Sequence, residues 1–390
     1  MKKSLLFGAA ALMAFAANAQ SLTKVWEHSM ADHTTGETRS IAALGKYAVV
    51  PNKTTGMVEL WDETGKVKEY DVNTWVAGQE LGDFTLGTAV STDEAGNIIV
   101  NLGFPGVGSG RNFAAIQADG EMFYIPCEFP NDAIIPEDAG RMDYLGDKTA
   151  GDITSNAFII TCPNTLTQAV VYNIYQKEQD RSSYSYVVKI GDEENTEAWN
   201  TESSAMPLAA LETDATQAPK FIARNRSLGG LRISADGKES LQKATYPGEA
   251  TIDFSKSTTT NFTAWTIGSK SYVALTQPDD GVRTHSWEVF DLQTAQSLAR
   301  WTMPTGEAVN YLVGFASSVN EDGTANIFQF NPGIRLAMYK FDPTAGVEGA
   351  IADDVNAPVK YYNLQGVEIA NPENGLFIKK QGAKATKVVL

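Results

Sequence analysis

Apolar and polar residues alternate along this chain in short runs, and the runs come in pairs joined by acidic turns. In the clearest pair, Val58 and Leu60 flank Glu59 before Trp61. Asp62 to Gly65 supplies turn residues, and a second run leaves through Val67. Period-two alternation on both sides of a turn predicts a β-hairpin. Versions of it recur: 113–116 with 122–125 around Asp119 and Gly120, 170–172 with 184–190 around Glu178, 230–233 before Asp236, 287–290 before Asp291, and 335–341 before Asp342. The turn markers at 62, 119, 178, 236, 291 and 342 fall 51 to 59 residues apart. A period that constant predicts six copies of one structural unit.

Within each unit the pattern resolves into about four short β runs, with no helical periodicity between them. The first unit has runs at 40–44, 46–50, the Val58 hairpin and an exit strand at 67–72; the fifth has 262–267, 272–276, 287–290 and 297–302. Four strands per repeat predict an all-β fold, a six-bladed β-propeller over residues 20–346, in which strand faces are buried against neighbouring repeats. The sixth unit has only three runs, at 311–317, 326–330 and 335–341. An orphan run, 22–28, precedes the first unit and matches the fourth-strand pattern of 297–301. Placed on the open edge of the sixth blade, it closes the ring and covers two exposed strand edges at once.

Residues 347–355 read as a small, acidic linker. Beyond it, 356–390 is a separate β module with three runs, 359–366, 374–378 and 385–389, divided by Gly and Asn-Pro turns. Tyr361 to Gly366, Asn374 to Ile378 and Lys384 to Val388, in this order, resemble the three blocks of the C-terminal sorting-type domain of exported Bacteroidetes proteins. The resemblance covers about 30 residues and implies delivery to the periplasm, the cell surface or the medium. The repeats resemble secreted bacterial six-bladed propellers in fold only. Export is also what the first 19 residues indicate by themselves: Lys2 and Lys3, a short apolar run, and Ala17-Asn18-Ala19 before Gln20 have the layout of a cleaved signal peptide.

The charge narrows the partners. The net charge is −16 for the whole chain, and −21 for residues 20–355 once the basic termini are set aside. Such a body repels phosphate backbones, which argues against nucleic acid and anionic lipid. No apolar run approaches the roughly 20 residues of a membrane span. The expected state is a monomer. Cys127 and Cys162 are the only cysteines; in an oxidising compartment they could pair or stay free.

Two constellations suggest a site. The ends of the second strands carry Asn52, Asn101, Asn164, Asn225, Gln277 and Asn331, which would place six amides around one mouth of the axis. Amides both donate and accept, which suits sugar hydroxyls or a peptide backbone; the competing reading is that Asn is there as a turn former. On the same face the sequence places Arg224, Arg226, Arg283 and His285, with Trp75, Trp199 and Tyr311 on or near the connections between blades. Basic and aromatic loop residues on an acidic protein would hold an acidic glycan or a peptide carboxylate; the arginines could equally pair with Asp279, Asp280 or Glu202.

Catalytic signatures are sparse. The glycine-rich stretch 103–111 lacks the Lys-Ser/Thr ending of a phosphate loop. Acidic turns at 62–63, 93–94, 279–280 and 321–322 lack the spaced oxygen ligands of a calcium loop. Among three histidines, His28, His33 and His285, none sits in a hydrolase motif. The leading expectation is therefore a non-catalytic propeller that binds a glycan, peptide or protein at one mouth. The alternatives are a lactonase-like or lyase-like enzyme, for which a divalent metal at the axis would be the implied cofactor, and a structural or adhesion component of the cell surface.

Overall fold

A computed structural model describes residues 22–34, 36–38, 40–103, 109–125, 145–161, 168–177, 180–189, 208–211, 214, 220–225, 230–233, 242–250, 252, 259–276, 286–302, 313–345, 359–363, 368–370, 372, 375–381 and 384–389. They fall into two compact units, Leu22–Phe341 and a second holding the residues from Asp342 onward.

The first unit begins with β1 (Leu22–Ser29). Sheet one follows as β2 (Ala42–Leu44), β3 (Tyr47–Asn52), β4 (Met57–Asp62) and β5 (Gly65–Asp71). Sheet two is β6 (Thr85–Thr92), β7 (Ile98–Gly103), β8 (Ser109–Ile116) and β9 (Met122–Ile125). Sheet three is β10 (Ala150–Asp152), β11 (Asn156–Thr161), β12 (Gln168–Lys177) and β13 (Asp180–Lys189). Sheet four is β14 (Leu208–Ala210), β15 (Phe221–Asn225), β16 (Gly230–Ile233) and β17 (Gln242–Lys243). After β18 (Thr259–Asn261) come sheet five, β19 (Thr263–Ile267), β20 (Lys270–Thr276), β21 (Trp287–Asp291) and β22 (Ser297–Trp301), and the strands β23 (Val313–Val319), β24 (Ala325–Asn331) and β25 (Arg335–Phe341) of sheet six. Sheet six has the order β1-β25-β24-β23-β18. Repeated four-stranded antiparallel meanders of this kind are the building unit of β-propellers.

The apolar residues on the strand faces meet between sheets. Ala42, Val49, Val58 and Leu60 of sheet one pack with Leu86, Val90, Ile98 and Val100 of sheet two. Trp265, Ala274, Trp287 and Val289 of sheet five pack with Phe315, Ile327, Ala337 and Tyr339 of sheet six. Trp26, Phe328, Leu336 and Met338 of sheet six pack with Ala43, Ala48 and Val50 of sheet one. Strands covered on both sides lose the polar alternation: all seven residues of β24 are buried.

The first strands of adjacent sheets also touch directly. Ser40 N–H donates to the Thr88 carbonyl at 3.2 Å, and Val90 N–H to Ser40 Oγ at 3.1 Å. Thr92 N–H donates to the Asp147 carbonyl at 3.3 Å, and Thr149 N–H returns to the Thr92 carbonyl at 2.8 Å. β18 lies parallel to β23, and Ser318 Oγ donates to the Gly45 carbonyl at 2.5 Å. The strand at 22–29 does lie antiparallel on β25, with Leu22 opposite Phe341 and Ser29 opposite Arg335, and a bulge between Lys24 and Trp26.

The acidic turns have a common construction. In Asp62-Thr64, Asp152-Thr154 and Asp322-Thr324 the aspartate Oδ1 accepts both the threonine N–H, at 2.8, 2.8 and 3.0 Å, and its hydroxyl, at 2.7, 2.7 and 2.5 Å. The carboxylate thus stands in for a missing backbone acceptor and stabilises the turn.

Three features depart from the sequence expectation. The exit strand of sheet one ends at Asp71, which caps a short helix, α1 (Val72–Gly78), where only strands and turns are expected. Asp71 Oδ1 accepts Thr74 N–H at 2.9 Å, an ordinary N-cap. A helix of seven residues, about two turns, is too short for its period to show. The parallel strand β18 has no signal in the sequence, because Thr259 to Asn261 is polar and pairs with β23, about 50 residues further on. The second unit has four strands where three are expected: β26 (Lys360–Tyr362), β27 (Glu368–Ile369), β28 (Leu376–Gln381) and β29 (Lys384–Val389), in the order β27-β26-β28-β29.

Candidate functional site

Three of the amides singled out in the sequence, Asn52, Asn101 and Asn331, are buried inside the fold. Asn52 is buried, and its Oδ1 accepts Thr55 N–H at 3.2 Å in the turn after β3. Asn101 is fully buried in the bulge of β6 between Leu86 and Val90, where its Oδ1 accepts Ala89 N–H at 2.8 Å. Gly87 makes room for it: a Cβ there would stand 2.4 Å from Asn101 Oδ1. Asn331 is fully buried at the end of β24. Asn225 and Arg224 lie on β15. Asn164, Arg226, Gln277, Arg283 and His285 lie outside the described residues, as do Cys127, Cys162, Trp199, Tyr311 and Asp236. Trp75 is on α1, packed against the core between sheets one and two. Asn52 and Asn101 therefore behave as turn and bulge formers.

Sequence reasoning missed a charged constellation beside the first strands. Asp147 is fully buried just before β10. The next residue, the half-buried Lys148, sends its ammonium to sheets five and six, donating to the Ala264 carbonyl at 2.7 Å and to Ser317 Oγ at 3.1 Å. Ser317 and Thr263 hydroxyls are 2.6 Å apart, and Thr263 Oγ1 donates to Asp147 Oδ2 at 2.5 Å. The ends set the direction of the middle. An ammonium can only donate and a carboxylate only accepts, so the protons run from Lys148 to Ser317, from Ser317 to Thr263, and from Thr263 to Asp147. Beside this relay, Ser91 and Thr149 hydroxyls are 2.8 Å apart, and Thr92 Oγ1 donates to the Ala43 carbonyl at 2.8 Å. Groups from sheets one, two, three, five and six thus converge on one level of the first strands.

Burial governs the electrostatics here. It pushes the Asp147 carboxyl up to about 6, against the opposing pull of Lys148, Thr263 and Ser317 N–H. It pushes the Lys148 ammonium down, with Asp147 opposing. Ala264 O and Ser317 Oγ already face an ammonium. Among the described residues no group of three or more His, Cys, Asp or Glu side chains is placed to hold a metal.

A second cluster joins β1 and its following loop to sheet one. His33 Nε2 meets Glu59 Oε2 at 2.9 Å, with both side chains buried. Trp61 Nε1 donates to the same oxygen at 2.9 Å, and Lys66 Nζ reaches Glu59 Oε1 at 3.4 Å. Burial pushes the Glu59 carboxyl up, but His33, Trp61 and Lys66 together outweigh it and hold it below its ordinary value. His28 Nε2 donates to the Asp62 carbonyl at 2.7 Å, and the rings of His28 and His33 flank Trp61 at 5.8 and 6.0 Å. Both imidazoles are committed to holding the strand in place.

No family model matches this chain, and no curated protein matches it. Solved structures are similar at low identity. Virginiamycin B lyase from Staphylococcus aureus aligns over 82% of this chain and 100% of its own, at 9% identity and a TM-score of 0.46. A streptogramin B lyase aligns over 83% and 99%, at 10% identity and 0.43. AofleA from Arthrobotrys oligospora aligns over 94% and 92%, at 9% identity and 0.41. Likeness at this level says nothing about chemistry. No helix among the described residues is long and apolar enough to cross a membrane.

Proposed function

We propose that this is an exported six-bladed β-propeller, closed by β1, that binds a glycan, peptide or protein at an end of its axis without catalysing a reaction. Core clusters between sheets one and two, five and six, and six and one support the ring. The pairing of β1 on β25 supports the closure. The observation that carries the functional reading is the Lys148–Ser317–Thr263–Asp147 relay. It commits the described charged groups of the first strands to each other, which leaves recognition to residues at the strand ends and loops. The second unit is the sorting-type module in this reading, and the mature chain begins at Gln20.

The test is a glycan and peptide array probed with the full mature chain, run beside a panel of lactones and esters with and without added Ca²⁺ or Mg²⁺. Saturable binding without turnover is expected. Metal-dependent turnover of any panel member would replace this reading with the enzymatic one, and an array without saturable binding would remove ligand binding altogether.

A further inference from the structure

The strands that end the six sheets, away from the first strands, differ in how their free edge is guarded. An edge strand leaves a row of backbone N–H and C=O groups unpaired, and proteins blunt such an edge by keeping it short, bulged or charged. β9 has four residues and β17 has two. β1, β5 and β22 each meet their neighbour with a break in register, between Lys24 and Trp26, between Leu60 and Trp61, and between Val289 and Phe290. β13 has none of these guards. It is ten residues long and pairs with β12 without a break, from Asp180 opposite Lys177 to Lys189 opposite Gln168.

β13 is last in sheet three, so its outer edge has no hydrogen-bonded strand among the described residues. Its charges sit near the ends, at Asp180, Arg181 and Lys189. The residues between, 182–188, are serine, tyrosine and valine, with no charge and no proline. That composition favours strand pairing and does nothing to refuse it. Every second residue of β13 turns its N–H and C=O outward, along roughly 30 Å of strand.

We infer that the outer edge of β13 is a docking site for an extended, cationic peptide segment, which adds to sheet three as a fifth strand. The ladder of backbone hydrogen bonds supplies the affinity, and the acidic body supplies the preference for positive charge. The site lies beyond the ligand at the axis and does not depend on it. A second copy fits this edge less well. The outward-facing residues of one strand alternate, so two copies of β13 pair about a residue and not about a point between two. Pairing about Ser185 sets Arg181 opposite Lys189, and pairing about Tyr184 sets Asp180 opposite Val188. Neither register pairs opposite charges, and both bring two acidic bodies together.

The experiment is fluorescence anisotropy of labelled octapeptides titrated with the full mature chain. One peptide alternates lysine and valine, one alternates glutamate and valine, and one is the lysine peptide N-methylated at every residue. The lysine peptide should bind saturably, and each of the others should bind more than tenfold more weakly. Hydrogen exchange should slow across 180–189 when the lysine peptide is bound. Tyr184→Pro and Ser185→Pro remove neighbouring N–H groups, one facing outward and the other paired with β12. The variant that keeps its melting temperature should lose more than tenfold in affinity. Binding that N-methylation does not weaken, that leaves exchange at 180–189 unchanged, or that the folded proline variant retains would place the peptide elsewhere and overturn the site. Equal binding of the lysine and glutamate peptides would overturn the charge preference. A lysine peptide that does not bind would overturn the inference, and sedimentation showing a dimer with 180–189 protected would then give the edge to a second copy. Should both proline variants fail to fold, the N-methylated peptide and the exchange measurement decide.

Discussion

Replacing Lys148 by methionine tests the relay at its cationic end. The change keeps most of the side-chain volume but removes the donor to Ala264 O and Ser317 Oγ. It also leaves the Asp147 carboxylate buried without its counter-charge. Breaking one side of a buried pair costs about 3–5 kcal/mol; Lys148 keeps some solvent contact, so the expected loss at pH 7.5 is about 3 kcal/mol. The pH dependence makes the reasoning specific. Asp147 titrates near 6 in the fold against about 3.9 unfolded, so the native state binds the extra proton between those values. Its contribution to stability is therefore greatest below about 4, falls as pH rises through 6, and is level above that. Without Lys148 the carboxyl moves higher still, and the variant should recover toward the parent as the pH is lowered to 5. Urea unfolding at pH 5, 6 and 7.5, with Asp147→Asn combined with Lys148→Met as the rescue, measures this. A variant within about 0.5 kcal/mol of the parent at pH 7.5, or one whose deficit is the same at all three pH values, would refute the pairing.

Removing residues 22–29 should uncover the edge of β25 and drive aggregation or a fall in melting temperature, read by light scattering and calorimetry; an equally stable monomer would show that β1 is dispensable. Gly87→Ala forces a Cβ to within 2.4 Å of the Asn101 amide, so it should cost about 1–3 kcal/mol, with Gly87→Ala/Asn101→Ala losing no more than the single change. Asp322 is held down to about 2, first by the Thr324 hydroxyl and then by Lys340 and Thr324 N–H. A depressed carboxyl contributes stability above its unfolded value that disappears as pH falls through the folded one. NMR titration of the Asp322 carboxyl should therefore show a midpoint near 2, and Thr324→Val should raise it.

The hairpin units were legible because each strand pair is local. Val58, Leu60 and the Asp62-to-Gly65 turn determine one another within ten residues, and β4 and β5 form where the alternation predicts. The placement of β1 was legible for a different reason: a unit one strand short and an orphan strand elsewhere are two halves of one deficit. What stayed hidden depends on distant partners. Thr259 to Asn261 has no apolar alternation, and it becomes a strand only because Val313 and Gly314 run parallel beside it.

The candidate site was hidden by the same physics. Asn52 and Asn101 satisfy backbone in a turn and a bulge, and recurrence of amides at strand ends alone cannot separate that need from recognition. Asp147, Lys148, Thr263 and Ser317 belong to different repeats at different offsets, so no spacing rule links them. One signal was on offer: Ser91, Thr92, Thr149, Thr263 and Ser317 put hydroxyls on or beside first strands whose other residues are mainly apolar. A buried hydroxyl on an otherwise apolar strand must find a partner. Ser317 and Thr263 find theirs in Lys148 and Asp147, Thr92 in the Ala43 carbonyl, and Ser91 and Thr149 in each other.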